Sequence, residues 1–219
     1  MAITKKQIVD LYRLRSRRYE VTANLYYLIG FREQSYRNKA VRALNLSPGD
    51  TVVEIGCGTG LNFTLLQSAV GPGGRIIGVD LTDSMLDQAR NRIKKESWSN
   101  VELVQGDAAS YVFPRGIDGI ISTFALTLVP EFDTVIRNGC EALKERKRWV
   151  VLDFKMPAPP FSSLAPLFLY LTKPFGVSLD LASRHPWESI HRYLRHPSMI
   201  EHYMGFVYIA TGEKGGSGC

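Results

Sequence analysis

Val53-Glu54-Ile55-Gly56-Cys57-Gly58-Thr59-Gly60 is the stretch that decides how this 219-residue chain folds. The β-branched run Thr51 to Ile55 reads as a strand, and it opens into three glycines at alternate positions. Such a loop turns sharply and lets a ligand approach the backbone closely, while the helix that follows presents N–H groups to a negative group. The spacing is GxGxG with Leu61 next, not the GxGxxG of nicotinamide and flavin folds. Glu54, a carboxylate two residues ahead of the first glycine, suits a positively charged ligand better than a pyrophosphate.

Outward from this loop, apolar runs alternate with helical patterns. Leu61 to Val70 predicts a helix, Arg75 to Asp80 a second strand after the Gly71-Pro72-Gly73-Gly74 turn, and Ser84 to Lys95 a second helix. Val101 to Gln105, Ile117 to Thr123 and Arg148 to Phe154 predict strands three to five, with a helix near Phe132 to Lys144. Repeated units of this kind imply an α/β fold with a parallel sheet covered on both faces. After residue 155 the alternation stops. Lys155 to Pro186 is rich in Pro and aromatics and is expected to pack over the carboxyl edge of the sheet as an insert. Trp187 to Leu194 predicts a helix, and Met199 to Tyr203 and Gly205 to Thr211 predict two closing strands, seven in all. The organisation expected is an N-terminal arm over 1–45, a domain over 46–212 with its insert at 155–186, and a disordered Gly/Ser-rich tail at 213–219.

Composition excludes several classes. Hydrophobic residues make up 45% and charged residues 22%, ordinary for a globular chain and far from a disordered one. Three cysteines, Cys57, Cys140 and Cys219, with no CxxC, argue against a disulfide framework or a structural metal site and fit a reducing cytoplasm. The longest uncharged stretch, Met156 to Thr172, is 17 residues, interrupted by four prolines and too short to span a bilayer. No secretion signal is visible at Met1 to Lys6. Net charge is +6, and residues 1–49 concentrate it, with ten basic residues against three acidic. A basic amphipathic arm on a neutral body points to a polyanionic partner, a membrane surface or nucleic acid.

Two further acids sit at strand ends. Asp80 closes the second strand 20 residues past Gly60, where an acid can accept from both hydroxyls of a ribose. Asp107, in Gly106-Asp107-Ala108, follows the third strand, placed to accept from an adenine amino group. Leu81 and Met85 are placed to sandwich the ring. Together these marks resemble the class I S-adenosylmethionine-dependent methyltransferases over residues 45 to 155. The resemblance implies a Rossmann-like, mostly parallel seven-stranded sheet and S-adenosylmethionine as cofactor. The implied cofactor set is Glu54, Gly56, Cys57, Gly58, Gly60, Asp80, Leu81, Met85, Asp107, Ala108 and Thr123, with no metal.

The acceptor is narrowed mainly by what is missing. Ser122-Thr123-Phe124-Ala125 ends the fourth strand where enzymes acting on nucleobase amines carry Asn/Asp-Pro-Pro-aromatic, so nucleic acid is not expected. Arg18-Tyr19-Glu20-Val21-Thr22, Leu25-Tyr26-Tyr27-Leu28, the stretch from Arg184 to Ile190 with Tyr193 and Leu194, and the segment Gly205 to Gly212 resemble the ubiquinone/menaquinone C-methyltransferases and bacterial lipid N-methyltransferases. Glu20 departs from that pattern, which has Asp. The arm supports a lipid independently, because Ile8, Leu11, Tyr12 and Arg15 share a helical face that can lie on an anionic bilayer. The favoured expectation is methyl transfer to the amine head group of a membrane lipid, with quinol C-methylation and a non-catalytic cofactor- or membrane-binding protein as alternatives. Tyr19 and His185 are the catalytic candidates, and Tyr12, Tyr26, Tyr27, Arg184 and Tyr193 line the expected acceptor site. A fixed cationic head group would rest on aromatic faces. A quinol carbon would need a base drawn from His185, His191, His196, His202 or Asp153. The expected location is cytoplasmic, peripheral at the inner face of the membrane.

Overall fold

A computed structural model describes residues 10, 13, 31–161, 166 and 183–216. Expectations for the rest of the arm, most of the insert and the end of the tail lie outside the described residues. Helix α1 spans Glu33–Ala43, followed by β1 Thr51–Ile55, α2 Phe63–Val70, β2 Arg75–Asp80, α3 Asp83–Glu96 and β3 Val101–Gln105. The second half comprises β4 Ile117–Thr123, α4 Phe132–Ala142, β5 Leu143–Phe154, α5 Pro186–Tyr193, β6 Arg195–His202 and β7 Val207–Glu213.

The seven strands form one sheet in the order β3-β2-β1-β4-β5-β7-β6. Strands β1 to β5 pair in parallel, and β7 runs antiparallel between β5 and β6. Strand alternation divides the core in two. Val53, Ile55, Ile77, Val79, Trp149, Val151 and Tyr208 face α4 and α5. Val52, Ile76, Val150, Leu152 and Ile209 face α1, α2 and α3. Residues one apart therefore bury on opposite faces, as a sheet covered on both sides requires. Chain order reverses between β1 and β4, and that switch point opens a crevice at the carboxyl ends of the strands.

Several boundaries depart from the sequence reading, β6 among them, which begins at Arg195 rather than Met199; two departures have identifiable reasons. Helix α2 begins at Phe63 rather than Leu61, because Gly60 holds φ +76° and residues 59–62 are still turning. Strand β5 begins at Leu143, whereas the sequence reading ends the helix near Lys144 and opens the strand at Arg148. The charges of this run are satisfied in the strand instead: Lys144 and Lys147 pair with Asp118, Lys147 also with Asp50, and Arg148 with Glu213. A register shift against β4 and a positive φ at Arg146 absorb the irregularity.

Candidate functional site

A cleft of about 930 Å³, counted out to its open mouth, lies at the switch point. The glycine loop forms its floor. Gly56 has φ +70°, and a Cβ there would fall 2.2 Å from the Ala125 Cβ, so only glycine lets the loop after β4 come this close. Gly58 donates its N–H to Asp80 Oδ2 at 2.8 Å, and Thr82 donates to Oδ1 at 2.8 Å. Asp80 is thereby fixed at the end of β2, and burial holds its carboxyl above the usual range despite both donors. Asp107 accepts from the Ala109 N–H at 3.0 Å, which caps the short turn Ala108–Ser110 and sets the acid beside the end of β3.

Of the expected cofactor residues, Gly56, Cys57, Gly58, Asp80, Leu81, Met85, Asp107, Ala108 and Thr123 line this one cleft. Gly60 and Glu54 do not. Gly60 turns the chain over Phe63. Glu54 is buried behind the loop, with Oε1 accepting from Asn62 Nδ2 at 2.6 Å and Oε2 without a hydrogen-bond partner. Burial pushes its carboxyl up to about 8, against the opposing pull of Arg37 and Asn62. Cys57 is a buried free thiol, also raised by burial, and its sulfur fills the space over Gly78.

Sequence reasoning missed Arg37 and Asn62. Asn62 also donates to Thr123 Oγ1 at 2.9 Å. Arg37 donates through Nη1 to Thr123 Oγ1 at 2.6 Å and Asn62 Oδ1 at 3.2 Å, and pairs with Glu33 at 2.7 Å. Counted among the charges of a basic arm, Arg37 gave no sign of being buried; the tyrosine before it and the alanine and valine at 40 and 41 were the available signal, an apolar face on α1.

The opposite wall is apolar: Phe124, Ala125, Leu128, Val129 and Pro130. Phe124 packs on Phe154 at 4.8 Å and on Phe31 at 5.9 Å between ring centroids. Behind this wall Asp153, only 2% exposed, accepts from the N–H groups of Thr127 and Phe154, both at 2.9 Å. Burial pushes its carboxyl up to about 6.

The acceptor candidates are dispersed. Tyr12, Tyr19, Tyr26 and Tyr27 lie outside the described residues. Arg184 donates to the Thr127 carbonyl at 3.0 Å, bracing the wall from behind. His185 stacks on Trp187 at 4.5 Å and meets Glu188 at 3.0 Å, outside the described cleft lining. Tyr193 donates to Asp133 at 2.7 Å, joined there by Ser189 and Arg192, which clamps α5 to α4 away from the cleft. His191 and His196 are exposed, and His202 stacks on Tyr36 at 5.2 Å. Among the described residues no group of three His, Cys, Asp or Glu could hold a metal ion, and no helix is long and apolar enough to cross a membrane.

A family model described as a methyltransferase domain matches residues 46–173. The chain is 30% identical over 135 residues to the demethylmenaquinone methyltransferase of Lactococcus lactis, covering 61% of this chain and 54% of that protein. It is 28% identical over 185 residues to the enzyme of the same name from Lactobacillus johnsonii, covering 81% and 75%. It spans about half the length of most such relatives. A solved structure of a SAM-dependent methyltransferase from Aquifex aeolicus superposes with a TM-score of 0.57 at 16% identity, covering 81% of this chain and 89% of that one. A phosphoethanolamine N-methyltransferase from Haemonchus contortus gives 0.57 at 20% identity, covering 75% and 38%.

Proposed function

The chain belongs to the methyltransferase-domain family of class I S-adenosylmethionine-dependent enzymes, and from that premise we propose that it methylates a carbon of a quinol ring. This reverses the ranking that the sequence alone suggested, in which a lipid amine stood first. The observation that carries the reading is the apolar, aromatic-backed wall of Phe124, Leu128, Val129 and Pro130 closing against the glycine loop at Ala125. Such a wall favours a flat ring over a hydrated primary ammonium, whose charge would have to shed its water there. The relatives that cover up to 81% of the chain are named for a quinone acceptor, whereas the likeness to the phosphoethanolamine enzyme is one of fold.

The residues present fit the cofactor. Glu54 Oε2 and Thr59 Oγ1 are buried polar atoms without partners beside a glycine loop, and Asp80 and Asp107 stand at successive strand ends. Bound there, S-adenosylmethionine supplies a methyl group already activated for displacement, so positioning does most of the work. Asp80 would hold the ribose hydroxyls and Asp107 the adenine amino group, with Leu81 and Met85 against the ring. Glu54 would take the ionised form once a cation lies beside it, because the charge that burial disfavours is then paired. The wall would hold the acceptor in line, with Asp153 keeping the wall in place through the Thr127 N–H; the ring carbon that gains the methyl loses its proton to solvent at the cleft mouth, since none of the candidate bases is among the described residues lining the cleft. The basic arm is proposed to bring the protein to the anionic membrane surface where such acceptors reside.

The test is transfer of labelled methyl from S-adenosylmethionine by the purified protein, offered a demethylated naphthoquinol and, separately, phosphatidylethanolamine vesicles. Label in the quinol is the expected result. Label confined to the phospholipid would overturn the acceptor assignment.

A further inference from the structure

Among the described residues lining the cleft, Arg37 is the one cation; Asp80 and Asp107 are the acids. The sheet order sets them out along a line. Asp107 follows β3, Asp80 ends β2, the glycine loop follows β1, and Thr123 ends β4 with Arg37 against it. Neighbouring strands are ~4.8 Å apart, so this row runs about 14 Å from Asp107 to Thr123. A nucleoside lying over Asp107 and Asp80 therefore has whatever its 5′ carbon carries extended past the glycine loop toward β4. In S-adenosylmethionine that extension is a sulfonium followed by an amino acid, whose ammonium and carboxylate need opposite partners.

Arg37, at the cleft, offers the cationic partner, and Asn62 joins it to Glu54, the acid buried behind the loop. Arg37 is 4% exposed, and a guanidinium this deeply buried is costly unless held by hydrogen bonds on several sides. Its holders are Glu33 one turn earlier on α1, Asn62 and Thr123. Glu33 takes Nε and Nη2 while Asn62 and Thr123 take Nη1, so the planar fork is held at both edges where it borders the cleft. Arg37 also lies 5.3 Å over the Phe124 ring, so the fork stands where the glycine loop meets the apolar wall. We infer that Arg37 receives the carboxylate at the amino-acid end of the cofactor, with Glu33 and Asn62 as positioning residues that keep the guanidinium aimed. The inference rests on the cofactor reading above, and α1 lies outside the segment that the family model matches.

The experiment is calorimetry with two ligands, S-adenosylhomocysteine and its decarboxylated analogue. Wild-type protein is expected to bind the first about ten- to a hundredfold more tightly, the range of one charge-assisted hydrogen-bonded contact. Arg37→Gln should lose about that factor for S-adenosylhomocysteine and leave the analogue within about twofold. Equal weakening of both ligands would mean that Arg37 only supports the fold and would overturn the inference, as would equal affinity of the two ligands in wild type. Should Arg37→Gln fail to fold, Arg37→Lys keeps a buried cation without the fork and should show the same selective loss; an unselective loss there also counts against the inference. Failure of wild-type protein to bind S-adenosylhomocysteine at all is a different result, which removes the cofactor reading itself.

Discussion

The side-chain amide of Asn62 joins Glu54 to Thr123, donating to Glu54 Oε1 at 2.6 Å and to Thr123 Oγ1 at 2.9 Å. One buried amide thus ties the acid ahead of the glycine loop to the end of the neighbouring parallel strand, while its oxygen accepts from Arg37. Both donors of the amide are used, and the second oxygen of Glu54 has no partner. Burial favours the neutral form of a carboxyl so placed, and a cation beside it would favour the ionised form.

That arrangement predicts a pH dependence with a definite sign. The folded carboxyl of Glu54 titrates near 8 rather than at its usual 4.5, so the native state holds a proton that the unfolded chain has lost between these values. The resulting stabilisation is complete below the lower value and disappears as pH rises through the upper one. Asp153, raised to about 6, adds to the same slope at its acidic end. Urea denaturation of the ligand-free protein should show stability falling from pH 5 to pH 8. Glu54→Gln should flatten that fall and be more stable at pH 9, by about 1 to 3 kcal/mol. The same variant should bind S-adenosylmethionine less well. A wild-type curve that rises over this range would contradict the assignment.

Asp153 supports the cleft wall through two backbone donors. An amide in its place has one acceptor oxygen and turns an N–H pair toward the second donor, leaving it unsatisfied in a buried setting. Asp153→Asn should therefore cost about 1 to 3 kcal/mol in denaturation and raise the KM for the acceptor more than that for the cofactor. Unchanged stability with intact kinetics would show that the wall does not depend on this carboxylate.

The sheet was legible because its signal is repeated. Five parallel strands each carry β-branched residues on both faces, and Gly56, Asp80 and Asp107 fall where strands end, so four of those strands were placed to the residue. Edges were less so: Lys144 to Arg148 has the charge density of a solvated helix end, and only the pairing of Lys144 and Lys147 with Asp118 explains why it is strand. In the site, residues that line the cleft through loop backbone were visible by spacing. Arg37, Asn62 and Phe124 were not: Arg37 meets Asn62 and Thr123 across 25 and 86 positions, Asn62 meets Thr123 across 61, and Phe124 packs on Phe31 and Phe154, contacts that no local pattern encodes. Tyr193 is the opposite case: an exposed-looking aromatic at helical spacing is held by Asp133 on a neighbouring helix.

Asp80 carries a second task besides any ligand contact, since it binds the N–H groups of both Gly58 and Thr82. Asp80→Ala should weaken S-adenosylhomocysteine binding by about 1.5 to 3 kcal/mol, measured by calorimetry. Asp80→Asn should fall between, because one oxygen still accepts from a backbone donor. Equal affinity in all three proteins would remove Asp80 from the site.

Ahead of residue 31, the described contact between arm and body is made by Arg13. Arg13 donates through Nε and Nη2 to the two oxygens of Asp83, each at 2.9 Å. Asp83 opens α3 just past Leu81, at a helix end whose dipole favours an acid. Both side chains are about half exposed, so the pair is screened by salt and open to competition from other anions. If the arm docks on anionic lipid, Asp83 and the bilayer compete for the same guanidinium. Asp83→Asn removes the competitor and should raise the fraction of protein that sediments with anionic vesicles, while Arg13→Glu should lower it. Both effects should shrink as salt is raised and vanish on purely zwitterionic vesicles. Sedimentation that is indifferent to salt, or identical among the three proteins, would leave Arg13 as a bracket between arm and body with no part in membrane contact.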